Sequence, residues 1–241
     1  RTAKADLEIT LNKKEKVIIE MQSGFTGTND IKQHKVIEAK KVFNKALFMK
    51  RAIIVHCWSG IPDYCWYPQT KRELEKEGFN VQVPEMPETD APEFSRWLKT
   101  LQDAADAPDK ELYLIGHSLG CVTIMRYLEA LPKGAKVGGV VFVAGFTDDL
   151  GYKELKSFFE TPLDLKRIKL RAGYFVDIYS DNDPYVPIKH AEVLQEKLGA
   201  ALIFKPGLKH FSGPAVYEES CISLPEVSQA ILKKEFLKTL N

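Results

Sequence analysis

Short apolar runs recur along this chain from residue 52 onward, separated by stretches in which apolar positions return every three or four residues. Ala52-Ile53-Ile54-Val55, Val137-Gly138-Gly139-Val140-Val141-Phe142-Val143 and Gly173-Tyr174-Phe175-Val176-Asp177-Ile178-Tyr179 are continuous runs. That is the pattern of strands buried on both faces. Asn80-Val81-Gln82-Val83, Glu111-Leu112-Tyr113-Leu114-Ile115 and Leu202-Ile203-Phe204 supply three more. Between and after them, residues 67–77, 92–105, 121–128, 187–198 and 225–240 carry helical spacing, with Trp97 and Leu101 on one apolar side and Pro187 at a helix start. Strand-helix alternation of this kind predicts an α/β fold: a mostly parallel sheet with helices on both faces.

Residues 1–50 have a different rhythm. Leu7-Glu8-Ile9-Thr10-Leu11 and Val17-Ile18-Ile19-Glu20-Met21 flank the polar Asn12-Lys13-Lys14-Glu15-Lys16, which predicts a hairpin. Val36, Ile37, Ala39, Val42, Phe43 and Leu47 then fall at helical spacing within 31–49. We expect an accessory hairpin-helix extension over 1–50 and the main domain over 51–241, with no repeat or linker dividing the latter.

Composition narrows the classes. A length of 241 residues suits a domain that buries roughly 70–75% of its unfolded surface. Charged residues make up 28% and the net charge is +1, so nothing favours nucleic acid or an anionic membrane. No stretch reaches the ~20 apolar residues of a membrane span. No apolar region follows Arg1-Thr2-Ala3-Lys4-Ala5-Asp6, so no signal peptide is expected. Cys57, Cys65, Cys121 and Cys221 form neither a C-x-x-C pair nor a Cys/His cluster. We therefore expect reduced thiols, no metal site and a cytoplasmic protein.

The chemistry is signalled by Gly116-His117-Ser118-Leu119-Gly120, a G-x-S-x-G pattern between an apolar strand and a helix. That context is what a nucleophile elbow needs: a sharp turn lifts one serine hydroxyl clear of the sheet. A bare match is weak, and an ordinary turn with a helix-capping Ser would also fit. A serine needs a base, and the base needs an orienting carboxylate. The order Ser, Asp, His is available. Asp183, in Ser180-Asp181-Asn182-Asp183-Pro184, is the first choice of acid; Asp181 is its rival, and Asp148 and Asp149 are weaker candidates. His210, on the loop after the last strand, is the expected base. His34, His56 and His190 lie elsewhere, His190 in a helix where we expect it to be solvated. His117 adjoins Ser118 and cannot easily fold back onto it. Two backbone N–H groups are needed for the oxyanion. Leu119 should give one, and the loop His56-Cys57-Trp58-Ser59-Gly60 the other, with Trp58 preferred and Cys57 the rival. The Trp58 ring could also wall the acyl pocket.

Taken together, these residues resemble the α/β-hydrolase superfamily, and within it the small retinoblastoma-binding-type serine hydrolases. The resemblance runs from about residue 52 to 240. It rests on the strand leading to His56, Pro84-Glu85-Met86-Pro87 with Trp97, the 116–120 elbow, Asp183-Pro184-Tyr185-Val186-Pro187, and Gly207 with His210-Phe211. It implies catalytic Ser118, Asp183 and His210, no cofactor and no large lid; residues 152–171 can form at most a small helical cap. Where many relatives carry His-Gly after the first buried strand, this chain has His56-Cys57. The expected function is hydrolysis of carboxylic esters, with thioesters or small amides as variants, on a small-molecule acyl substrate. A second reading, a protein-binding module on the same scaffold, leaves a protein partner open; an intact Ser-His-Asp set argues against it. Acyl transfer to an alcohol or amine would use the same three residues.

Overall fold

The computed structural model describes residues 5–11, 15–21, 49–212 and 221–232. The chain divides into two compact units, Arg1–Phe48 and Met49–Asn241. In the first, β1 (Ala5–Leu11) and β2 (Glu15–Met21) pair antiparallel, with Leu7 opposite Ile19 and Ile9 opposite Val17. The hairpin expected there is present. The helix expected over 31–49 lies outside the described residues, save Met49, which is irregular.

The second unit is built on a six-stranded, wholly parallel sheet. Its strands are β3 (Arg51–Val55), β4 (Asn80–Gln82), β5 (Leu112–His117), β6 (Gly139–Val143), β7 (Phe175–Tyr179) and β8 (Ala201–Phe204), in the order β4-β3-β5-β6-β7-β8. The helices are α1 (Tyr67–Lys76), α2 (Phe94–Ala105), α3 (Leu119–Ala130), α4 (Leu165–Lys169), α5 (Lys189–Leu198) and α6 (Pro225–Leu232). Residues 233–240 of the expected closing helix lie outside the described residues.

Alternate residues of each strand enter opposite cores. Ile53, Val55, Leu114 and Phe142 pack with Trp97, Leu101, Val122, Met125 and Leu194 of α2, α3 and α5. Ala52, Ile54, Ile115 and Val141 pack with Tyr67, Leu74, Val227 and Ile231 of α1 and α6. Both faces are covered, which is why these strands read as unbroken apolar runs. Several boundaries differ from expectation by one to three residues, those of β6 and α2 among them. The strand expected from 137 begins at 139, with Val137 making only an isolated bridge to Ala172. The helix expected from 92 begins at 94, where the Glu93 carboxylate accepts the Arg96 N–H as an N-cap.

The chain runs from β3 outward to β4, then returns to β5 on the other side of β3. Connections therefore leave β3 and β5 in opposite directions, and the carboxyl ends of those two strands face the crevice where such sheets place ligands. Of the small cap expected over 152–171, a 3₁₀ turn (Lys153–Phe158) lies at that edge, whereas α4 lies at the amino-terminal end of the sheet, where Arg167 donates to the Leu131 carbonyl after α3 and Ala172 bridges Val137 ahead of β7.

Candidate active site

Ser118 follows β5 directly and opens α3, and its backbone sits at φ 53°, ψ −117°. A non-glycine residue adopts such a conformation only where the surroundings enforce it. Here the glycines allow the turn. A Cβ on Gly116 would lie 2.7 Å from the Cys121 backbone, and one on Gly120 would lie 2.1 Å from the Val55 carbonyl oxygen. The Ser118 N–H is held by the Val143 carbonyl of β6 at 2.9 Å.

His210 lies on the loop after β8. Three side chains of the loop after β7 bind its neighbours: Asp181 accepts the Gly207 N–H, Ser180 the Leu208 N–H and Asn182 the Lys209 N–H, at 2.8, 3.2 and 2.8 Å. Lys209 and Phe211 on either side have positive φ, 48° and 57°. The loop is thus pinned in a shape that a free chain would seldom adopt.

The structure brings Ser118, His210 and Asp183 together. The Ser118 hydroxyl lies 2.9 Å from His210 Nε2, and His210 Nδ1 lies 2.8 Å from Asp183 Oδ2. A carboxylate only accepts, so Nδ1 carries the proton and Nε2 is left to accept from the serine. The other Asp183 oxygen accepts the Tyr185 and Val186 N–H groups, each at 2.9 Å. The Asp183 side chain is only 3% exposed, so its charge faces His210 rather than water. The rival acids are elsewhere: Asp181 clamps Gly207, and Asp148 and Asp149 accept the N–H groups of Leu150 and Gly151 in local turns.

Comparison with known proteins now bears on the chain. A family model described as serine hydrolase matches residues 52–228. This chain belongs to the serine hydrolase family. It is 30% identical to the YdeN protein of Bacillus subtilis (strain 168) over 179 residues, covering 74% of this chain and 92% of YdeN. It is 27% identical to the serine hydrolase RBBP9 of Rattus norvegicus, covering 70% and 90%. The crystal structure of the B. subtilis ydeN gene product superposes with a TM-score of 0.71 over 78% of this chain and 99% of that one. Est1E from Butyrivibrio proteoclasticus, solved with ferulic acid bound, has a TM-score of 0.58 at 15% identity, covering 80% and 89%; at that distance it shares the fold alone. The protein is thus an enzyme of the serine hydrolase type on an α/β-hydrolase fold.

In this serine hydrolase, Ser118 and His210 open onto a cavity of about 290 Å³. Trp58, Phe146, Leu150, Tyr152, Leu155 and Tyr185 line it, and the Trp58 ring meets Tyr152 edge-on at 5.9 Å. Among the described residues, no Lys, Arg, Asp or Glu side chain lines it. Leu119 heads α3, where the helix dipole favours negative charge. Neither the Leu119 nor the Trp58 N–H has a hydrogen-bond partner among the described residues. The Cys57 N–H is taken by the Tyr67 hydroxyl at 3.2 Å. Among the described residues, no group of three or more His, Cys, Asp or Glu is placed to hold a metal ion, and none of the four cysteines forms a disulfide. No described helix is long and apolar enough to cross a membrane.

Several histidines have structural roles. His56 accepts the Met86 N–H on Nε2 and contacts the Cys57 carbonyl through Nδ1. His190 is buried, not solvated as expected, and its Nδ1 accepts from Thr147; it lies on the inner side of α5, which a short helix with mixed polarity does not reveal. His34 lies outside the described residues. Sequence reasoning missed Tyr185, whose ring meets His210 edge-on at 5.0 Å, and Phe146 and Leu155 in the cavity. It also missed Asp177, a fully buried carboxyl on β7. Gly145 N–H donates to its Oδ1 at 3.3 Å and its Oδ2 has no partner among the described residues. Burial pushes this acid up to about 8. An isolated Asp within an apolar strand run was the available signal.

Proposed function

We propose that this serine hydrolase cleaves carboxylic esters of compact, uncharged acids, with Ser118 as nucleophile, His210 as general base and acid, and Asp183 as the group that orients it. The observation that carries this reading is the unbroken hydrogen-bond line from Ser118 through His210 to Asp183, at 2.9 and 2.8 Å, ending at the mouth of an apolar cavity. His210 takes the serine proton as Oγ attacks the acyl carbon. The leaving alcohol then receives that proton, and an acyl-enzyme forms. Water, deprotonated by the same imidazole, attacks the acyl carbon, and Ser118 leaves with the proton. Asp183 holds the Nδ1–H tautomer and stabilises the imidazolium that forms in each half. The Leu119 and Trp58 N–H groups take the oxyanion, each contributing on the order of 3 kcal/mol. Cys57 is set aside for this role because Tyr67 already occupies its N–H.

The acyl preference follows from the lining. Trp58, Phe146, Leu155 and Tyr185 offer mainly apolar and aromatic surface, and no Lys or Arg among the described lining residues would pair with a charged acyl group, so such a charge would lose hydration without an ion partner. A cavity of about 290 Å³ under a small cap suits short or aromatic acyl groups. The test is hydrolysis of a p-nitrophenyl ester series by wild type and Ser118→Ala. The acetate, butyrate and benzoate should be cleaved and the palmitate and hemisuccinate poorly, all through Ser118. Equal rates in the two proteins would overturn the reading.

A further inference from the structure

His117 is the last residue of β5, fully buried beside the nucleophile, and it takes no part in the steps above. It nevertheless touches the base-bearing loop directly and reaches the oxyanion loop through Tyr67, the first residue of α1. Its Nε2 lies 2.8 Å from the His210 backbone carbonyl, and its Nδ1 lies 2.6 Å from the Tyr67 hydroxyl. Tyr67 in turn receives the Cys57 N–H, one residue before Trp58. A carbonyl only accepts, so Nε2 carries the proton and Nδ1 is an acceptor. Tyr67 must then donate to Nδ1 and accept from Cys57. Each of these donors has a defined direction: Cys57 N–H to Tyr67, Tyr67 O–H to His117, His117 N–H to the His210 carbonyl.

We propose that His117 and Tyr67 are positioning residues that fix the base-bearing loop and the oxyanion loop to the nucleophile strand. This rests on the roles given above to Ser118, His210 and Trp58. The line joins the backbone of His210, whose ring must meet Ser118, to the peptide that orients the Trp58 N–H. The two anchored loops follow β8 and β3, strands separated in the sheet by β5, β6 and β7. Among the described residues, no backbone ladder ties those loops to each other, and the side-chain line supplies a connection. The arrangement works only with a neutral His117. A second proton on Nδ1 would oppose the Tyr67 O–H and place a cation beside the His210 imidazolium, the two rings being 5.3 Å apart. Burial first, and then the His210 ring, push His117 down to about 3, so it stays neutral where the enzyme works.

The experiment uses full-length wild type, Tyr67→Phe, His117→Gln and His117→Phe with p-nitrophenyl acetate and a phenylboronic acid inhibitor. Tyr67→Phe removes one oxygen; it should keep the fold by circular dichroism. Its kcat should fall about tenfold or more, because small misplacements of reacting groups are costly. KM should stay within about threefold, and the boronate Ki should rise in step with the lost kcat, since both report on the tetrahedral state. His117→Gln, which keeps a donor and an acceptor, should retain more kcat than His117→Phe. Wild-type kcat in folded Tyr67→Phe would overturn the inference, and so would a loss confined to KM or a Gln variant no better than Phe. If His117→Phe does not fold, Tyr67→Phe decides alone. Failure of the Ser118 reading is distinguishable: wild type itself would then not turn over, and this inference would fall with it.

Discussion

Asp183 divides its two oxygens between two tasks: Oδ1 is fixed by the Tyr185 and Val186 N–H groups, and Oδ2 faces His210. Asp183→Asn should keep the backbone bonds but present an NH₂ to Nδ1, which forces the wrong tautomer on His210. We expect kcat for ester hydrolysis to fall roughly 10³- to 10⁴-fold with little change in Tm; steady-state kinetics and a melting curve check both. Asp177 offers the opposite kind of test, on stability. Its folded acid is raised to about 8 from 3.8, so the unfolded chain ionises first. Above about pH 4 the folded state binds the extra proton, and stability falls as pH rises toward about 8. Asp177→Asn removes that penalty. Its gain over wild type in urea denaturation should grow from pH 5 to pH 8, by roughly 3–4 kcal/mol; a constant difference would contradict it. At this scale the sequence was uneven. Ser118 was legible from its motif, but Asp181 and Asp183 follow the same strand and only the loop's fold separates them. Tyr67 and Asp177 looked like ordinary helix and strand positions, and His117 like a bystander of the elbow, because their roles depend on contacts between distant elements.

The elbow is where two elements meet under constraint. Strand β5 and helix α3 can join so tightly only because Gly120 lets the helix approach the end of β3. A Gly120→Ala Cβ would meet backbone rather than a movable side chain, so we expect a loss of about 3 kcal/mol or more and a marked fall in Tm. Gly134 lies in the connection after α3 at φ 89° with nothing near its missing Cβ. Gly134→Ala should therefore cost only about 1 kcal/mol, from backbone strain alone. Thermal melts of the two variants side by side check the contrast. The elements themselves were largely legible, since a parallel sheet covered on both faces writes its strands as apolar runs. Their ends were less so: Gly116 and His117 belong to β5, although a glycine and a polar residue break the apolar pattern.

Across the whole molecule, the serine hydrolase match and the proposed catalytic residues both fall within Met49–Asn241, one of the two compact units. We propose that residues 1–48 are accessory to catalysis. A chain beginning at Met49 should fold, and its kcat should lie within about threefold of wild type; lost turnover in a folded truncation would show that the extension contributes to the site. The α/β class could be read because strand-helix alternation admits few layered solutions. Sheet order and the placement of the crevice could not, because they depend on which strands pair.

The central claim is that Ser118 is an activated nucleophile, and the most direct measurement is labelling with a fluorophosphonate followed by intact mass and peptide mapping. The expected result is a single adduct on Ser118, absent from Ser118→Ala. A folded wild-type protein that takes no adduct, or takes it elsewhere, would contradict an activated Ser118.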